Sequence, residues 1–237
     1  ASTVDARAKH WAVLAVWILP LLAAPPIFSH DAYSYAAQGW LMENDINPYE
    51  GYPGLLPGVF ADQVAQEWRF TRTPYGPLSL QLQHDIVRLA GFHPYWSAVM
   101  MRIPALVGVV LIGVFLPRLA RRTGHDASFA AWFGVLNPLL VVDFVGGAHN
   151  DSFMMGLMVF GLWLATTANW AWIPAAVVIG ASAAVKQPAV MAAVALPFIV
   201  HPMPSWRPRH VAAALGRVVG SLVGAAGSFA LITWRTG

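Results

Sequence analysis

Long apolar runs separated by short polar loops dominate the chain, with one wide polar interruption near the start. The first apolar run extends from Trp11 to Phe28 and follows Arg7 and Lys9. Others follow at Trp96–Leu116, Phe129–Val145 and Phe153–Thr167. A stretch from Trp170 to Val200 is interrupted by Lys186-Gln187-Pro188, and a last run covers Val211–Trp234. A helical span needs roughly 20 mainly apolar residues, and a helix satisfies its own backbone groups inside a bilayer. The pattern therefore predicts an all-α, polytopic transmembrane helix bundle. Reading 170–200 as two short spans puts Arg7 with Lys9, the Arg118/Arg121/Arg122 cluster and the Arg207/Arg209 loop on one side, as the positive-inside rule asks. The expected organisation is one transmembrane domain over 1–237 with about seven spans, at 11–28, 96–116, 129–145, 153–167, 170–185, 189–200 and 211–234. The protein is then a multi-pass plasma-membrane protein with a cytoplasmic N-terminus. Pro20, Pro25 and Pro26, with no small-x-small cleavage site, mark the first run as a retained anchor and not a signal peptide.

Residues 29–95 form the first extracytoplasmic loop in this topology. Ser29 is placed to cap a helix, with Asp31 in its first turn against the helix dipole. Turn residues follow from Asn47-Pro48-Tyr49 to Gly58, then a helix is expected over Ala61–Phe70. After Thr73-Pro74-Tyr75-Gly76-Pro77, the residues Leu78, Leu82, Ile86 and Leu89 make a helical stripe. Such amphipathic helices are expected to lie in the membrane interface, apolar side down. In the last span Gly216, Gly220 and Gly224 repeat at the spacing that lets helices approach closely.

Composition narrows the function. Of 237 residues, 57% are hydrophobic and 11% charged, less than half the share usual for a soluble domain, which excludes soluble and disordered classes. The net charge of +3 sits in short loops, where it sets orientation, so no nucleic-acid partner is expected and the lipid bilayer is the first partner. Without cysteine there is no disulfide framework, thiolate metal site or cysteine nucleophile. The sequence also lacks HExxH, GxSxG and Walker patterns, the residues of zinc hydrolysis, serine esterases and ATP-driven transport. Ionisable groups in or beside spans are costly and are functional candidates. Four places qualify on the outer side: His30-Asp31, Arg102, the segment from Asp143 through Gly147-Ala148-His149-Asn150-Asp151, and Lys186-Gln187-Pro188. Each has a plainer use, as a first-turn acid, a snorkelling cation or a helix cap. A secondary transporter with broken helices, or a non-catalytic membrane scaffold, would carry similar residues.

The ordered set Ser29-His30-Asp31-Ala32-Tyr33-Ser34-Tyr35, Asn47-Pro48-Tyr49, Thr73-Pro74-Tyr75-Gly76-Pro77, Gly147-Ala148-His149-Asn150-Asp151 and Lys186-Gln187-Pro188 resembles a known family. It is similar to the actinobacterial polyprenol-phosphomannose-dependent alpha-1,6-mannosyltransferases of the GT-C superfamily. The resemblance runs from Ser29 to Pro188. Family members are longer, so the chain is expected to be an N-terminal part. The resemblance implies a GT-C-like bundle that moves mannose from a polyprenyl-phosphate donor to a glycolipid or oligomannoside acceptor, with inversion, on the extracytoplasmic face. It implies Asp31 as general base, Lys186, Arg102 and Arg72 on the donor phosphate, and His30, Tyr33, Tyr49, Tyr75, His149, Asn150, Asp151 and Gln187 on the substrates. The wider superfamily carries paired acids where only Asp31 stands here. Nothing in the sequence requires a cofactor, no metal ligands are assigned, and a divalent metal is left open.

Overall fold

The computed structural model describes residues 3–201 and 203–236, and the side chains of residues 8–201 and 203–235. These residues form helices and turns, with no strand among them. Helix α1 (Thr3–Ile18) ends in a 3₁₀ turn over Leu19–Leu21. Pro25 and Pro26 offer no backbone N–H, so the run read as one span to Phe28 is helical only to Leu21, and residues 22–30 are irregular.

The outer segment is built on α2 (Asp31–Glu43) and α5 (Pro77–Leu89). They cross at Gly39, where a Cβ would lie 2.5 Å from the Gln83 carbonyl oxygen. The single helix expected over Ala61–Phe70 is instead two short turns, α3 (Val59–Asp62) and α4 (Gln66–Arg69), because the chain extends at Ala65. That extension lets Phe60 and Val64 both reach the core beneath α2, where Phe60 stacks on Trp40 at 5.1 Å. Helix α5 leaves Leu78 and Leu82 of the expected stripe half-buried. Its buried face is Ser79, Leu80, Gln83, Ile86 and Val87, whereas Leu89 is exposed. The helix packs against α2 and the bundle through that buried face.

The remaining helices form the bundle: α6 (Pro94–Met100), α7 (Arg102–Arg122), α8 (Ala127–Val135), α9 (Asp151–Ala165), α10 (Trp172–Val185), α11 (Met191–Val200) and α12 (Pro208–Thr236). Among the described residues Pro94–Arg122 and Pro208–Arg235 are long and apolar enough to cross a membrane. A third candidate is α8 with the π-helical turn Leu140–Gly146, bent by 48°. The bend falls at Asn137-Pro138, where Asn137 Oδ1 accepts the Leu139 N–H at 3.0 Å and proline supplies none. The other apolar helices are shorter; α10 has 14 residues, about 21 Å, against a hydrocarbon core of about 30 Å.

Helices α7 and α9 run in the same direction in the closest seam. Gly108 stands where a Cβ would lie 2.1 Å from Ser152 O, and the Ser152 hydroxyl donates to Ala105 O at 2.6 Å. Helices α10 and α12 are also parallel: Gly220 meets Trp172, Gly224 meets Ala176 and Gly180 lies against Ala225, while Gly216 faces open space. Between them α11 turns back, since His201 Nε2 at its end is 3.3 Å from Asn169 O at the start of α10. Exposed Trp206 and Trp234 bracket α12, an arrangement typical of membrane-interface anchors. This alternation carries the start of α2, the turn before α9 and the α10–α11 turn to one end of the bundle. The arginines of the α7 end and the Arg207/Arg209 loop lie at the other.

Candidate functional site

Three distant pieces of sequence meet at the first of those ends. Asp31 opens α2, with its N–H held by Ser29 Oγ at 3.1 Å, so Ser29 fixes the entry of the helix. One turn on, the buried Tyr35 hydroxyl lies 3.4 Å from Asp31 Oδ2 and 3.3 Å from Asn150 Oδ1, two acceptors for one proton. Asn150 in turn donates to Ser79 Oγ at 3.0 Å, and Gln83 donates to the same hydroxyl at 3.0 Å. The buried polar face of α5 is thus the floor of the site. Beside Asp31, a small cleft is lined by Ser34, Gln38, Trp68, Arg72 and Tyr75.

His149 lies against the acid. Its Nε2 is 3.8 Å from Asp31 Oδ2, and its Nδ1 is 3.1 Å from Asp143 Oδ1. On the far side Lys186 Nζ donates to both oxygens of Asp151, at 2.9 and 2.7 Å, and stands 5.7 Å above the Tyr75 ring. Tyr75 packs edge-on against Tyr35 at 5.0 Å. Burial, then the charge of Asp31, pushes the Tyr75 hydroxyl up to about 12. Burial raises Tyr35 well above the ordinary phenol value as well. Both therefore remain neutral donors at physiological pH. The Thr73–Pro77 turn that carries Tyr75 is docked onto α10: the Gly76 N–H donates to Val185 O at 3.0 Å, and a Cβ there would lie 2.2 Å from Ala184 O. Tyr49 reaches the same turn, its hydroxyl donating to Tyr75 O at 3.0 Å.

The structure thus joins Asp31, Tyr75, His149, Asn150, Asp151 and Lys186, with Tyr49 bracing the turn and exposed Arg72 at the cleft rim. His30 and Gln187 are exposed, and Tyr33 stacks loosely on His30 at 5.9 Å. Arg102 differs from its expected role on a donor phosphate. It is 2% exposed and donates to Val145 O, Ala24 O, Pro25 O and Gly146 O at 2.8, 2.7, 3.2 and 3.0 Å. Its donors are spent on backbone, which makes it a staple between the irregular entry to α2 and the turn that carries His149. Sequence reasoning missed Tyr35, Gln38, Ser79 and Gln83 as site residues. A polar residue on the apolar-spaced face of α5 was the available signal. Among the described residues no three His, Asp or Glu side chains converge as metal ligands. The two nitrogens of His149 face carboxylates on different sides of the ring, so that row does not enclose an ion.

Comparison with known proteins adds a family. A model described as "Alpha-(1->6)-mannopyranosyltransferase, N-terminal domain" matches residues 2–203. An alpha-(1->6)-mannopyranosyltransferase A of Mycobacterium tuberculosis is 35% identical over 189 residues, covering 80% of this chain and 36% of the relative. The Corynebacterium glutamicum protein of the same name is 34% identical over 77% of this chain and 36% of its own length. An alpha-(1->6)-mannopyranosyltransferase B from C. glutamicum is 36% identical over 62% and 25%. The chain thus spans about a third of the length of these curated relatives. No solved structure matches it.

Proposed function

The chain belongs to the alpha-(1->6)-mannopyranosyltransferase family through its N-terminal domain, and from that premise we propose that the whole protein is a membrane mannosyltransferase that uses a polyprenyl-phosphate-linked mannose. The observation that carries the reading is the meeting of Asp31, His149 and the Lys186–Asp151 pair at one end of the bundle, brought from three separate sequence segments. Asp31 is the general base that takes the proton of the acceptor hydroxyl as its oxygen attacks the anomeric carbon, a role worth roughly 10²–10⁴-fold. The bond to the lipid phosphate breaks with its electron pair leaving on the phosphate. Lys186 and Arg72 offset that growing charge, and a partly covered site makes fixed cations more effective than in water. Tyr75 and Tyr49 shape the sugar site, and neutral Tyr35 steadies the base. The acceptor is a glycolipid or oligomannoside, attacked from the face opposite the phosphate, so a beta-linked donor gives an alpha product.

In this reading all seven apolar helical stretches cross the bilayer, the short ones meeting thinned lipid. Lys9 and the arginines at the far end of the bundle lie in the cytoplasm and the site faces outward. The test uses full-length protein in membranes with radiolabelled polyprenyl-phosphate mannose and a short mannoside. Wild type transfers label, Asp31→Asn loses transfer but keeps donor binding, and Lys186→Met raises the donor KM more than the acceptor KM. Absence of transfer by folded wild-type protein across several lipid-linked sugars would return the molecule to transport or scaffolding.

A further inference from the structure

Asp143 has no part in the reaction as described, yet it makes the shortest contact to His149. The distances on the two sides of that ring are unequal: 3.1 Å from Nδ1 to Asp143 Oδ1, and 3.8 Å from Nε2 to Asp31 Oδ2. The nearer carboxylate favours the ring proton on Nδ1, which leaves the Nε2 lone pair facing the base. The backbone is built around this placement. Ala148, immediately before His149, is buried with a φ of 55°, a left-handed conformation that a non-glycine residue adopts only when its surroundings force it. Gly147 leaves room for the ring, since a Cβ there would lie 3.3 Å from Nε2 and 2.7 Å from Asp143 O. Asp143 itself sits in the π-helical turn Leu140–Gly146, a widened turn of the kind that recurs at functional sites. Along the row the side chains of Asp31, His149 and Asp143 are 31%, 15% and 50% exposed, so the ring is the covered member between two carboxylates and Asp143 is the more open of these.

We propose that Asp31, His149 and Asp143 form a proton relay that resets the base after each transfer, with Asp143 as its positioning residue. The inference rests on the transfer reaction proposed above. In that reaction the acceptor O–H bond breaks, its oxygen bonds to the anomeric carbon, and the bond from that carbon to the phosphate oxygen breaks. The released proton goes first to Asp31. Contraction of the 3.8 Å gap to hydrogen-bond distance lets Nε2 take it, which returns Asp31 to a carboxylate and leaves an imidazolium between two carboxylates. The Nδ1 proton then passes to Asp143 and from its half-exposed carboxyl to water, so one proton in gives one proton out, and the ring, left with its proton on Nε2, regains the Nδ1 tautomer by exchange with water before the next transfer. The base is recharged while the transferred product still covers the open side of Asp31.

The experiment uses the full-length protein in the mannose-transfer assay, with Asp31→Asn, Asp143→Asn, His149→Gln, His149→Ala and the Asp143→Asn/His149→Gln double variant. Asp143→Asn is expected to lower kcat roughly 10- to 100-fold while both KM values and the melting midpoint stay close to wild type. The double variant loses no more than the worse single, because both act through one path, and imidazole in the buffer restores part of the His149→Ala rate. A purely structural contact would not give the imidazole response. Full kcat in Asp143→Asn, additive losses in the double variant, or a loss confined to KM would overturn the relay. If Asp31→Asn is inactive while Asp143→Asn is normal, the relay falls and the transfer reading stands. If wild type transfers no mannose, both fall.

Discussion

Replacing Arg102 separates two roles that leave different signatures. Its guanidinium serves four carbonyl oxygens, two on the chain entering α2 and two on the turn before His149, at 2.7–3.2 Å. The Ile27 N–H also donates to Gly146 O at 3.1 Å, so the same two segments are already in register and Arg102 locks them. A buried carbonyl stripped of its donor costs about 1–3 kcal/mol. Lysine keeps the charge but has three N–H groups on one atom and no planar fork, so it cannot reach both segments at once. With two of the four carbonyls left unserved, and partial relaxation allowed, Arg102→Lys should destabilise by about 2–4 kcal/mol. For a domain of this size that is a fall of roughly 5–15 °C in melting temperature. Thermal unfolding of the purified protein in detergent, read beside donor KM, makes the comparison. A staple predicts a lower melting temperature and a lower kcat, because Asp31 and His149 drift apart. An unchanged melting temperature with a raised donor KM would refute this reasoning and return Arg102 to the phosphate.

Two other perturbations follow from contacts in the site. Gly76→Ala drives a methyl into the Ala184 backbone, where neither partner is a flexible side chain, and overpacking of this kind costs about 1–3 kcal/mol; melting should fall modestly and transfer severely, since Tyr75 moves relative to Lys186, and an unaffected rate would argue against that turn as part of the site. Because burial raises the folded-state values of Tyr35 and Tyr75, their contribution to stability is complete below the ordinary phenol value of about 10 and is lost as pH rises through the folded value, about 12 for Tyr75. Melting temperature should therefore drop above about pH 10, and Tyr75→Phe should shallow that drop; an identical alkaline slope in the variant would show that other groups set it.

Which features could be read from the linear chain depended on whether their cause was local. The helical class follows from apolar runs, and the family follows from short motifs that keep their order. Pro20 at the end of α1, with Pro25-Pro26 beyond it, keeps the helix from continuing, an effect visible in the residues themselves, although the apolar run goes on past them and suggested a longer helix. The division of 61–70 was not legible, because it arises from Phe60 and Val64 both reaching beneath α2. The buried face of α5 was not legible for the same reason. Leu78 and Leu82 are more apolar than Ser79 and Gln83, but Ser79 is matched by Asn150, 71 positions away. Arg102 was legible as a costly charge; that carbonyls and no anion answer it depends on two loops meeting in space. The Gly108–Gly156 seam escaped notice because its glycines lie on different helices, whereas the repeat in α12 is periodic and conspicuous.

The paired hydrogen bonds from Lys186 to Asp151 bear on how the proposed enzyme lets go of what it has used. A phosphate arriving at Lys186 does not find a bare cation; it must exchange places with a carboxylate already seated there. Once displaced, that carboxylate remains nearby as an anion competing for its former partner. The spent lipid phosphate, more negative than the donor by the charge gained in bond cleavage, then leaves against a standing competitor that can close over the lysine as soon as it departs. Asp151 therefore limits product residence while sparing the empty site an unpaired charge beside the membrane.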